Sequence, residues 1–155
     1  MKIKSWVLYP IISITLFVSA FFAYPLFESL VDVLLNHIPI TVTDMKTPFR
    51  IQLLFALTFA FIPLLVALTG FLFQTKGKHT QYIYISMLLS MTIFGGIRIF
   101  NIQQFYTEKQ AQIGDHIQLQ YPMENLQIVS FMFVGSMIGC VVGAIFLKRA
   151  VKKVK

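Results

Sequence analysis

The 155-residue chain is poor in charge, acid, cysteine and histidine, and each scarcity excludes something. Charged residues make up 12% of it, about half the share found in an ordinary soluble domain. A free soluble globule of this composition has too little polar surface to cover itself. The one cysteine, Cys140, forms no internal disulfide, and membrane thiol oxidases that work through cysteine pairs are excluded with it. Three histidines, His37, His79 and His116, are scattered without metal-ligand spacing, and none lies in an apolar run, where haem held between helices needs its ligands. Of the six acids none falls near the middle of such a run, which disfavours a coupled proton or cation relay. No glycine-rich phosphate loop, nucleophile elbow or Ser-His-Asp set in workable register is present. Accordingly no cofactor and no catalytic residue are expected.

What the chain has is apolar length. Hydrophobic residues make up 57%, with sixteen Phe and seven Met. Four long runs begin at Trp6, Ile51, Tyr82 and Ile128. Each approaches the roughly 20 residues that a helix needs to cross the hydrocarbon core, and none shows the two-residue alternation of a barrel strand. The reading is an all-α integral membrane protein, a single membrane domain built as an antiparallel bundle of four transmembrane helices. The spans are placed at about 6–27, with a helical extension to about 36, then 51–73, 82–103 and 127–147, followed by a basic tail over 148–155.

The net charge of +7 is divided across that plan. With both termini on the cytoplasmic side, that side holds nine basic residues: Lys2, Lys4, Lys76, Lys78, Lys148, Arg149, Lys152, Lys153 and Lys155. The other face holds Lys46, Arg50, Arg98 and Lys109 against all six acids, a balance of −2. The positive-inside rule then gives cytoplasmic N- and C-termini, and the expected location is a multi-pass position in a bacterial inner membrane. Lys2 and Lys4 before an apolar stretch, with Val18-Ser19-Ala20 beyond, mimic a signal peptide. Because the run continues to Phe27, it is read as a retained first helix.

Glu28, Asp32 and Asn36 recur every four residues and share a helix face. Glu28 and Asp32 form, with Arg50 and Arg98, the candidate polar cluster of the outer face. Arg98 lies about 24 Å into the third helix at 1.5 Å per residue. Three fates are open to it: snorkelling to headgroups, an ion pair with Glu28 or Asp32, or capture of an anion. Gly135, Gly139 and Gly143 make a smooth strip on the fourth helix for close packing. Packing within the chain is favoured there over a homo-oligomer or a foreign subunit. In the two outer loops, alternation at Ile38, Ile40 and Val42 and at Ile117, Leu119 and Tyr121 fits short strands that could pair as a two-stranded β cap. His37, Asp44, Asp115 and His116 are candidate first-row metal ligands if the loops bring them together. Lys148, Arg149, Lys152, Lys153 and Lys155 suit contact with anionic lipid, and no aromatic platform accompanies them to suggest nucleic acid.

The leading expectation is a small non-enzymatic membrane protein, an accessory, assembly or structural subunit acting through helix packing. Its partners would be membrane lipids together with another membrane protein or further copies of itself. The alternative is a membrane-embedded enzyme or a lipid- or anion-binding protein with a polar site around Arg98. A second alternative is an oligomeric channel or small transporter.

Overall fold

Long helices separated by short connections build the chain. The computed structural model describes residues 5–35, 40–42, 49–72, 80–113, 119–121 and 126–152. Helix α1 spans Ser5–Leu35, α2 Phe49–Leu72, α3 Thr80–Ile113 and α4 Ile128–Lys152. Strands β1, Ile40–Val42, and β2, Leu119–Tyr121, are three residues each. All four helices are long and apolar enough to cross a membrane. Two outrun the apolar stretches that announced them. Helix α3 continues ten residues past the expected end at 103, and α4 carries on through Lys148 and Arg149 to Lys152.

Neighbouring helices run antiparallel, which sets which residues share a level. Ser13 of α1 reaches Ala60 of α2, and Gln52 reaches back to Phe21. In the other hairpin Gly143 lies against Ile83, and Gly135 against Ser90 and Phe94. The first residues of α4 therefore sit level with Arg98, and α3 projects past them by about 22 Å. Helix α1 likewise projects past the start of α2. The projecting parts of α1 and α3 meet where the Gln103 amide donates to the Leu34 carbonyl at 2.9 Å. Leu34 lies in the last turn of α1, whose carbonyls have no partner within the helix, so α3 caps α1. We call this the strand end, and the opposite one, which carries Lys148 and Arg149, the tail end.

Strands β1 and β2 pair parallel, Ile40 with Leu119 and Val42 with Tyr121. The two strands follow α1 and α3, which run in the same direction. Parallel strands need a long crossover, and here it is the whole of α2 and α3.

The two hairpins close on different chemistry. Between α1 and α2 the seam is aromatic, with Phe27 stacked on Phe55 at 4.7 Å and Tyr24 edge-on to Phe55 at 5.5 Å. Between α3 and α4 it is made of small residues. Helix α2 links the hairpins and buries Phe55, Ala56, Thr58, Ala60, Ile62, Pro63 and Val66 in its middle. Phe61 meets Phe133 of α4 edge-on at 6.1 Å. The same core continues to the strand end through Val31, Leu35, Ile102, Tyr106, Leu126 and Ile128.

Candidate functional site

Proline dictates where polar side chains are needed in these helices. A proline inside a helix has no N–H for the carbonyl four residues earlier. In an apolar surrounding that orphan acceptor costs several kcal/mol unless another group reaches it. Pro25 deprives the Phe21 carbonyl, and the Gln52 side-chain amide of α2 donates to that oxygen at 2.9 Å. In α2, Pro63 deprives Phe59 and crowds the turn before it. Here Ser13 of α1 donates to the neighbouring Ala60 carbonyl at 2.6 Å. Gln52 thus satisfies the carbonyl that Pro25 orphans, Ser13 donates one residue beyond the carbonyl that Pro63 orphans, and both helices run unbroken.

The glycine strip is a packing surface within the chain. A Cβ at Gly139 would stand 2.6 Å from the Ser86 carbonyl oxygen and 2.7 Å from the Met87 Cα. At Gly135 it would stand 2.7 Å from the Ser90 carbonyl oxygen, and at Gly143 2.9 Å from the Ile83 Cα. Backbone touches backbone at all three positions, and only hydrogen fits between. The close approach lets Ser86 donate from its hydroxyl to the Gly139 carbonyl at 2.9 Å. Gly95 is nearly as tight, 3.0 Å from the Met132 Cγ, whereas Gly96 faces open space.

Arg98 turns towards α4. Its Nε donates to the Leu126 carbonyl at 2.8 Å, and its guanidinium carbon lies 5.2 Å from the centre of the Phe131 ring. The cation is half-buried, with a charge-assisted hydrogen bond on one side and a π face on the other. Within the expected polar cluster, Glu28 and Asp32 are half-buried on α1 and Arg50 is exposed at the start of α2. Arg98 is thus fixed to α4 by its described contacts, and it lines none of three interhelical cavities among the described residues. Those cavities are apolar interhelical grooves.

The candidate metal ligands His37, Asp44, Asp115 and His116 lie outside the described residues, as do Lys153 and Lys155. Among the described residues no group of three or more His, Cys, Asp or Glu could hold a metal ion. Lys148 and Arg149 are exposed at the tail end.

Three features escaped the sequence. Gln52 and Ser13 act at distant carbonyls, although a lone amide in an apolar run beside a proline-containing helix is a usable signal. Tyr24 is the third: only 1% of it is exposed, and its hydroxyl has no hydrogen-bond partner among the described residues. No protein-family model matches the chain, and neither a curated protein nor a solved structure matches it.

Proposed function

We propose that this chain is a multi-pass membrane protein that works as an accessory, assembly or structural subunit, with both termini on the cytoplasmic side. The observation that carries the reading is the destination of the polar side chains between the helices. Gln52, Ser13, Ser86, Arg98 and Gln103 come from α1, α2 and α3, and all five donate to backbone carbonyls outside their own helix. Such side chains hold a scaffold in shape. Catalysis or transport would need groups of this kind turned to a substrate or a water path.

Because α3 occupies the glycine strip, contacts with other subunits fall to the outward apolar faces and to the strand end. In this orientation the paired strands form a small cap beyond the bundle on the outer side, and Arg98 sits near the outer headgroups.

Purification of the full chain from native membranes in mild detergent tests the reading, with sizing and quantitative mass spectrometry. A partner or further copy at fixed stoichiometry is expected, together with a fall in that partner's level when the chain is deleted. A lone monomer whose deletion leaves every other membrane protein at its normal level would overturn it. Orientation is checked separately by labelling a cysteine placed at position 153 in a Cys140→Ser background. Labelling in intact cells by an impermeant maleimide contradicts a cytoplasmic C-terminus.

A further inference from the structure

Beside the α3–α4 seam, towards the tail end, runs a groove of about 520 Å³. Its walls are Tyr82, Ile85 and Leu89 of α3 and Val142 and Phe146 of α4. Its origin is the glycine strip: Gly143 lets the helices come close without supplying a side chain to fill the flank. The Ser86 hydroxyl, which would make the lining polar, is turned to the Gly139 carbonyl. Ser90 also borders the groove, and what remains is a slot lined mostly by carbon, within the 300–1,000 Å³ range of small-ligand sites.

The slot has a charged end. Val142, Phe146 and Arg149 follow one another at spacings of four and three residues, so they share a face of α4. Arg149 stands one turn beyond the slot, next to Lys148, and both are exposed. An apolar channel ending at two cations fits an amphiphile with an anionic head. It fits a second copy of the chain poorly, since a copy standing parallel in the same membrane would bring its own Lys148 and Arg149 to the same level.

We propose that this groove seats an acyl chain of an anionic phospholipid, with the phosphate held by Arg149 and Lys148. The seat does not depend on the chain having a protein partner.

The test uses the full chain in nanodiscs of equal phosphatidylglycerol and phosphatidylcholine, with native mass spectrometry of the released protein. Wild type should retain lipid and prefer phosphatidylglycerol. Lys148→Gln and Arg149→Gln should each weaken that preference roughly five-fold while lipid is still retained. Val142→Trp, which fills the slot, should lose both lipids. Photolabelling of wild type with a diazirine-tailed phosphatidylglycerol should mark residues 82–90 and 142–146, and this arm needs no variant to fold. An unchanged preference in the charge variants overturns the proposal. So does a label confined to other helices, or a wild-type dimer cross-linked through the groove.

Discussion

Gly139→Ala should loosen the α3–α4 seam, and its size follows from the backbone. The added carbon would lie 2.6 Å from the Ser86 carbonyl oxygen and 2.7 Å from the Met87 Cα, and 2.9 Å from the Ser90 Oγ. The serine hydroxyl can rotate, but the other two atoms move only if α3 moves. Reaching ordinary contact at 3.4 Å requires a retreat of about 0.8 Å, enough to forfeit a quarter to a half of the dispersion well at neighbouring contacts. Overpacking of this kind costs about 1–3 kcal/mol. The strained Ser86–Gly139 hydrogen bond adds about 1 kcal/mol, and alanine's better helix propensity returns about 1 kcal/mol. The net loss is about 2 kcal/mol, or roughly thirty-fold in an opening equilibrium.

The protein carries its own reporter for that opening. Cys140, the only cysteine, follows Gly139 and is 8% exposed. Its alkylation by a maleimide in detergent, followed by intact mass, should be roughly thirty-fold faster in Gly139→Ala when opening precedes reaction. Gly96→Ala is the control. Nothing lies within 4 Å of its new carbon, so about 1 kcal/mol of helix propensity should slow labelling roughly five-fold. Labelling of Gly139→Ala at the wild-type rate would refute the reasoning, as would equal behaviour of the two variants.

The proline repair can be read as a double-mutant cycle on detergent unfolding. Gln52→Ala should cost about 1–3 kcal/mol in wild type and much less with Pro25→Ala, where a restored N–H satisfies Phe21; equal losses in both backgrounds would show that the amide has no special role at that carbonyl. Tyr24→Phe should be neutral or stabilising by about 1 kcal/mol in the same assay, since it removes a buried hydroxyl without a partner among the described residues. A loss above 1 kcal/mol there means that the hydroxyl is satisfied. Arg98→Ala and Phe131→Leu should couple by about 0.5–1 kcal/mol in an unfolding cycle, and additive losses would remove the cation–π contact from the account.

Chemical uniformity made the helices legible. No stretch of α2 from Ile51 to Leu72 offers the polar stripe of a soluble helix, so run length alone found it. The rule stopped early on α3, because Asn101, Gln103, Gln104 and Glu108 interrupt the apolar run. Ile102 and Tyr106, one turn apart, keep that segment helical by facing the core at the strand end. It also stopped early on α4, where Lys148 and Arg149 continue the helix at the tail end. The site was harder to read, because levels between helices are set by packing that no single run reveals. The level of Arg98 follows from the glycine strip, which fixes the register of α3 against α4 and brings Leu126 beside it. Gln52 looked like a lone polar residue in its run, and its purpose lies with a proline 27 positions earlier.

The parallel strand pair bears on the order of biogenesis. Chain synthesis delivers α1, β1 and α2 long before β2 exists, since Val42 and Leu119 are separated by all of α2 and α3. The first hairpin can insert alone, yet β1 must wait with unpaired backbone until α3 has been made and β2 follows it. Pairing of Ile40–Val42 with Leu119–Tyr121 therefore becomes possible before α4 is made, and it can tie the first hairpin to α3 while the last helix is still to come.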